Sequence, residues 1–416
     1  MQVYKPLWEY ITMPQFQTPP APAREVVRKE VTSFWKRLHP TRLIKRDGRN
    51  QLCAIPPYLL NRAAPPPNLE QTVAALEQAL EGWRYSKESA SVVKVVVGPP
   101  GTSMNQIVTC LAQQNNWQTI GPPTTQEILA GGDRWLENVT RDDITPLVLP
   151  QLGKCYLRHQ DGLILISRLL DWLQTTKRRC LLACDSWAWA YLSNALQIDV
   201  MLPTPLTLAP MDGARLQFWL PTLASTHRGK FVFRDVNDGR QLFTTLDNYA
   251  ERIEQNAQAG QIERYGDWVG VNYYFRQLAA HSRGMPQVVW QLWRRSLQIS
   301  HDVKEQIAHL KDRGSKDEFT VWVQPWNQLD LPVVPGTTGT DETMVMHTIL
   351  LHGGMTAPLL GFLLPLSHNQ VRRVLHHLLA LGLVDNEADG TWYMPLLAYP
   401  AVRQFMEHEG YLVDAF

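Results

Sequence analysis

The apolar positions of this chain change their period from one stretch to the next. Val27, Val31, Phe34, Trp35 and Leu38 recur at helical spacing and predict a helix over Arg24–Leu38. Between residues 91 and 212, apolar runs alternate with helical stretches. Ser91–Val97, Thr145–Leu149, Arg179–Cys184 and Val200–Leu208 read as strands, and Asn105–Gln114 and Leu163–Leu173 as helices. Such alternation predicts an α/β fold, a parallel sheet with helices on both faces. Helical periodicity then runs from Gly213 to about Lys311. The last stretch predicts helices at Glu342–Leu351, Ala357–Leu363 and His368–Leu381, the third opened by Ser367 and Gln370 at capping-box spacing. A two-stranded return through Gly390-Thr391-Trp392-Tyr393 closes it.

Proline clusters mark the joints: Pro14–Pro22, Pro56-Pro57, Pro65–Pro67 and Pro325–Pro335, the last followed by Gly336-Thr337-Thr338-Gly339-Thr340. The expected division is a helical, basic and Pro-rich segment over 1–90, a P-loop-like domain over 91–212, a helical lid over 213–325, a linker over 326–340 and a C-terminal domain over 341–416. A length of 416 residues accommodates several domains, each with its own core.

Charge narrows the choice of partner. Forty Lys and Arg stand against 39 Asp and Glu, so no global field draws the chain to nucleic acid or anionic lipid. One segment departs from this balance: Arg24–Arg49 carries nine basic and three acidic residues, a surplus of +6. It suits a solvated face, an acidic partner, nucleic acid or a membrane surface; a single weakly amphipathic helix needs a second anchor to hold a membrane, so peripheral contact is not expected. No apolar run approaches the roughly 18 residues of a membrane span, and Met1-Gln2-Val3-Tyr4-Lys5-Pro6 lacks the charged and apolar regions of a signal peptide. The expected location is the cytoplasm. The five cysteines show no Cys-x-x-Cys or Cys/His ligand spacing, so neither a disulfide framework nor a metal site is expected.

Chemistry enters where the strand Ser91–Val97 ends in Gly98-Pro99-Pro100-Gly101-Thr102 ahead of a helix, the context of a phosphate-binding loop. The eight residues Gly98, Pro99, Pro100, Gly101, Thr102, Ser103, Met104 and Asn105 resemble the Walker A loop of AAA+ and related STAND ATPases, Gly-Pro-Pro-Gly-Thr-Gly-Lys-Thr/Ser. That resemblance implies an ASCE-type P-loop sheet with a helical lid, and ATP or ADP as the ligand. The five matching positions are structural and the three departures are chemical: Ser103 stands at the third glycine, Met104 at the lysine and Asn105 at the magnesium-binding hydroxyl. Losing one hydrogen bond to a charged group costs roughly 1.5–3 kcal/mol, about 10–150-fold in affinity. The Walker B position, at the end of the third strand, holds Pro150 and Gln151 in place of two acids. On the rival placement Asp185 supplies one acid and Ser186 stands at the general base; assigning Cys180–Asp185 to the sensor-one strand is preferred, with a helix N-cap as the plain alternative for Asp185. Neither placement offers a carboxylate pair.

Two further stretches extend the resemblance. Gly284-Met285-Pro286 resembles the Gly-x-Pro motif of NB-ARC-type STAND proteins, which places Pro286 against adenine, and Arg294 or Arg295 would be a sensor-two arginine or a solvated one. Leu375, Leu378-Leu379 and Leu381-Gly382-Leu383-Val384 resemble the third helix and wing of a winged helix. The resemblance leads to three readings. The first is a pseudo-ATPase acting as a regulatory or assembly scaffold through a protein partner or its own copies. The second is an initiator-like DNA-binding protein presenting His368, Arg372, Arg373 and His376. The third is an NTPase subunit completed by a companion, with Arg134, Arg141 and Arg158 as candidate fingers. The first is the expectation, with no catalytic residue assigned.

Overall fold

The computed structural model describes residues 6–22, 52–85, 92–141, 144–224, 230–243, 271–301 and 318–416. The expected helix Arg24–Leu38, with most of its basic surplus, lies outside them. The chain divides into two units. One contains residues 1–17, 68–209 and 331–416, the other residues 18–67 and 210–330.

The first unit is built on a six-stranded sheet in the order Tyr10–Thr12, Leu206–Leu208, Val93–Gly98, Cys180–Asp185, Leu147–Leu149 and Gln118–Thr119. The last five run parallel, and only Tyr10–Thr12 is antiparallel to its neighbour. Numbered along the chain, the parallel strands stand in the order fifth, first, fourth, third, second. The fourth strand thus lies between the first and the third, which is the ASCE arrangement of a P-loop protein. The central strands are near-continuous apolar runs because helices cover both faces. Val95, Val96 and Val97 are fully buried, as are Leu181 and Leu182 beside them. One face packs on the helix Met104–Gln114 through Ile107, Val108 and Leu111, and that helix packs on Glu70–Ala79.

Residues 331–416 belong to this same unit. They form helices Thr340–His352, Ala357–Leu363, His368–Ala380 and Tyr399–His408, with a three-stranded antiparallel sheet of Met355–Thr356, Thr391–Tyr393 and Asp385–Asn386. The capping box at Ser367 is present. The strand Met355–Thr356 follows the glycine break at Gly353-Gly354 and has no counterpart among the predicted elements, because two residues carry no detectable period.

The second unit corrects the all-helical lid expected over 213–325. Helices Gly213–Leu223, Tyr273–His281 and Pro286–Ser296 are there, but so is a four-stranded mixed sheet of Leu52–Ala54, Leu297–Ser300, Glu318–Val323 and Lys230–Asp235. Leu297–Ser300 follows its helix directly, so helical periodicity masks the change of state. The core of this unit is aromatic: Trp293 meets Phe233 at 5.1 Å, Phe243 at 5.8 Å and Tyr274 at 6.2 Å between ring centroids. The expected segment 1–90 is not one piece either: residues 6–17 and 68–85 are in the first unit and 52–67 in the second.

Candidate functional site

Ligands of open parallel sheets bind outside the carboxyl ends of the strands. In the first unit this end gathers Gly98, which pairs in register with Asp185, and the loop that joins Gly98 to the helix Met104–Gln114. The loop keeps the backbone that its glycines suggest. Gly101 has φ +82° and Ser103 φ +52°, so a serine holds the left-handed position at which the resemblance places glycine. That conformation costs an L-residue roughly 1–2 kcal/mol, and Ser103 recovers nothing through its side chain, which makes no capping bond. Thr102 closes the turn on Pro99, its hydroxyl donating to the Pro99 carbonyl at 2.8 Å.

The side chains do something else. Met104 is buried; its methyl group is 3.0 Å from the place where a Cβ on Gly98 would stand, and the Tyr10 hydroxyl contacts its sulfur at 4.0 Å. It is therefore a core residue folded beneath the loop. Asn105 is exposed, its amide oxygen accepting from the Gln106 N–H at 2.8 Å. On the outer side of the loop stands Leu396: a Cβ built on Gly101 would lie 2.4 Å from its Cδ2 and 2.7 Å from its Cδ1. The C-terminal segment thus touches the turn of the phosphate loop directly.

A lysine that the sequence reading did not single out sits beside Asp185. Lys154 ends the short helical turn Leu152–Lys154 after the third strand, just beyond Pro150 and Gln151. Its ammonium donates to the carbonyls of His352, Gly353 and Gly354 at 2.5, 3.1 and 3.2 Å, so it caps the C-terminus of the helix Thr340–His352. Gly353 is left-handed at φ +58°, and a Cβ there would be 3.3 Å from Asp185 Oδ2. Burial raises the Asp185 carboxyl above its ordinary value, with the Lys154 charge opposing. Burial lowers the Lys154 ammonium in turn, opposed by Asp185 and Glu387. Asp185 makes no N-cap bond to the helix Ser186–Leu196; the Lys154 charge acts on it from the far side of Gly353.

A second set of contacts fixes the C-terminal segment at the same end of the sheet. The buried carboxylate of Asp414 accepts from Ser186 Oγ at 2.5 Å, Tyr399 Oη at 2.7 Å and Arg403 Nε at 2.9 Å, and the Trp187 indole N–H donates to Tyr399 Oη at 3.2 Å. Tyr156 Oη donates to the Leu351 carbonyl at 2.7 Å, and Phe416 meets Phe16 at 4.7 Å. Lys154, Leu396 and Asp414 carry no motif; only their contacts reveal them.

The other expected site residues lie elsewhere. Arg372, Arg373 and His376 are exposed on the helix His368–Ala380, with His376 edge-on to Trp392. Pro286 belongs to the second unit, buried at the start of its helix, after Gly284, whose carbonyl accepts from Met211 N–H at 2.9 Å. Arg294 caps the helix Pro57–Ala63 through the Ala64 carbonyl at 2.5 Å and Asn61 at 2.9 Å, and Arg295 donates to the Asp330 carbonyl at 3.0 Å. Arg294 is thus engaged within its unit, against the expectation of a sensor or a solvated arginine.

No protein-family model matches the sequence, and no curated protein matches it. Among solved structures, the Holliday junction branch migration motor RuvB of Thermotoga maritima is similar at 13% identity and a TM-score of 0.31, over 83% of this chain and 95% of that one. The Cdc6p protein of Pyrobaculum aerophilum is similar at 12% identity and a TM-score of 0.31, over 86% and 98%. The Aeropyrum pernix ORC1 protein, solved in complex with DNA, is similar at 13% identity and a TM-score of 0.32, over 83% and 94%. Likenesses of this grade say nothing of chemistry; the strand order itself makes this an ASCE-type P-loop fold. Among the described residues no group of His, Cys, Asp or Glu could hold a metal ion, and no helix is long and apolar enough to cross a membrane.

Proposed function

We propose that the protein is an AAA+/STAND-like P-loop protein without hydrolytic activity, acting as a regulatory or assembly scaffold by binding a protein partner or further copies of itself. The observation that carries this reading is Leu396 against Gly101, on the turn where a P-loop holds phosphate, with Met104 folded into the core beneath it. Pro150 and Gln151 at the end of the third strand agree with it, as does the Lys154 charge acting on Asp185, the residue in register with Gly98. In this reading the C-terminal helices and small sheet are a winged helix that packs on the nucleotide module.

Calorimetric titration with ATP and ADP, with and without Mg²⁺, together with a phosphate-release assay tests it. We expect neither binding nor turnover at about millimolar nucleotide, a binding energy near 4 kcal/mol. Turnover by the isolated chain would sink the proposal. Binding without turnover would keep the scaffold but make nucleotide its ligand.

A second reading has one observation in its favour, the exposure of Arg372, Arg373 and His376 on a single helix. If that helix enters a DNA groove, affinity for duplex DNA falls steeply with salt, and Arg372→Ala with Arg373→Ala lowers the slope of log affinity against log salt by about two. An unchanged slope removes this reading.

A further inference from the structure

Away from the phosphate loop, the first unit holds a cavity of about 540 Å³ between the helices Ser186–Leu196 and Thr340–His352 and the turn after Tyr399–His408. That volume lies within the range of small-molecule sites. Its walls include Arg158, Tyr191, Asn194, His347, Glu409 and Tyr411.

Three features of these walls are not explained by the fold. First, the imidazole of His347 is buried and uses only one nitrogen: Nε2 meets the Leu412 carbonyl at 3.0 Å, while Nδ1 has no partner. Buried unpaired polar groups are uncommon in native proteins. If Nε2 carries the proton to the carbonyl, Nδ1 is an acceptor awaiting a donor. Second, Arg158 and Glu409 are exposed at the cavity, and neither forms an ion pair with the other or with any described residue. Third, two aromatic rings are held rigidly in the lining. Tyr191 is stacked on Tyr156 at 5.2 Å and 14°, and Tyr411 lies edge-on to His347 at 5.0 Å and 64°.

An unpaired cation and an unpaired anion on one cavity with aromatic walls complement a small molecule that carries the opposite charges around a flat ring. We propose that this cavity binds a free aromatic amino acid, its carboxylate on Arg158, its ammonium on Glu409 and its ring against Tyr191 and Tyr411. The proposal is independent of whether the phosphate loop holds nucleotide, since none of these residues belongs to that loop.

The test uses the full chain and L-tryptophan, followed by calorimetry and by saturation-transfer NMR of the ligand. N-acetyl-L-tryptophan, which lacks the ammonium, and L-tryptophanamide, which lacks the carboxylate, are the matched controls. L-Tryptophan is expected to saturate at or below about 10 mM, the weak end of specific binding, and each control to bind about tenfold or more weakly, as a lost charged hydrogen bond requires. Arg158→Gln is expected to abolish the preference for tryptophan over the amide, and Glu409→Gln the preference over the N-acetyl compound. Both side chains are exposed, so unfolding curves should stay unchanged and separate loss of the site from loss of the fold. Absence of saturation, equal affinity for all three compounds, or binding indifferent to both variants would each overturn the assignment.

Discussion

Lys154 is the residue on which the candidate site turns. It is held by three carbonyls of a helix end, and its charge acts on the half-buried Asp185. Replacing it by Met removes the cap and the charge that opposes the burial of Asp185, so Lys154→Met should destabilise the first unit by about 1–3 kcal/mol, read from urea unfolding. His352, whose carbonyl takes part in that cap, has its ring tilted at 35° against Tyr156, 4.9 Å between centroids. Burial, with the charges of Lys154 and Arg158, pulls its pKa from 6.5 down to about 3. The unfolded chain therefore binds this proton first, and the stability that the neutral ring contributes is complete above pH 6.5 and is lost as the pH falls towards 3. Its share of the slope is about 1.4 kcal/mol per pH unit. Burial raises Asp185 and Asp414, which gives these carboxyls the opposite slope, but they are common to wild type and variant. His352→Phe should thus flatten the acid limb of stability against pH by up to one proton, and an unaltered limb would mean that the imidazole titrates freely in the folded chain.

Among the elements, the phosphate loop shows how far a motif can be read without its chemistry. The pattern from Gly98 to Thr102 indicated the turn, and the turn is there, with its strand and its helix. The residue at the third glycine position is strained for no visible gain, since Ser103 is left-handed and caps nothing. Ser103→Gly should therefore raise stability by about 1 kcal/mol, offset in part by glycine's greater freedom in the unfolded chain. A shifted urea midpoint with unchanged slope is the expected result. Helices with a clear period were legible almost to their ends: Asn105–Gln114 was expected and Met104–Gln114 is present, and Ala357–Leu363 agrees at both ends. The two-residue strands Gln118–Thr119 and Met355–Thr356 were not legible, because an alternation needs more residues than they have. The strands at 230–235, 297–300 and 318–323 were missed for another reason: each lies in a region that amphipathic helices dominate.

At the level of the whole chain, Asp414 ties the C-terminus to the core of the first unit. Its carboxylate joins Ser186, Tyr399 and Arg403, and its carbonyl accepts a second bond from Arg403 at 2.6 Å. Arg403 is buried and keeps Glu407 at 2.9 Å, so Asp414→Ala would remove one of its two carboxylates and leave Ser186 and Tyr399 without their acceptor, a loss of about 1–3 kcal/mol. Asp414→Asn, which keeps the acceptors but not the charge, should lose less. Thermal unfolding of both variants checks the order, and an Asn variant as unstable as the Ala variant would contradict it. The order matters for function, because the same anchorage holds the C-terminal segment against the phosphate loop. Loosening it is the most direct way to expose Gly101 and ask whether nucleotide then binds.

The sequence alone determined the parallel α/β core, the place of the glycine turn after its first strand and the side chains Ser103, Met104 and Asn105 that stand in it. These are local matters: a β-branched run, a glycine turn and the side chain at each numbered position can be read without knowing what lies beside them. Only the tertiary structure decided that the fourth strand lies between the first and third, that Met104 folds inward, that Lys154 caps the helix Thr340–His352, and that Leu396 covers Gly101 from nearly 300 residues away. Contacts between distant segments depend on how helices and strands pack, and packing accepts many side chains of suitable size and polarity, so a leucine or lysine in such a place bears no mark of it in the sequence.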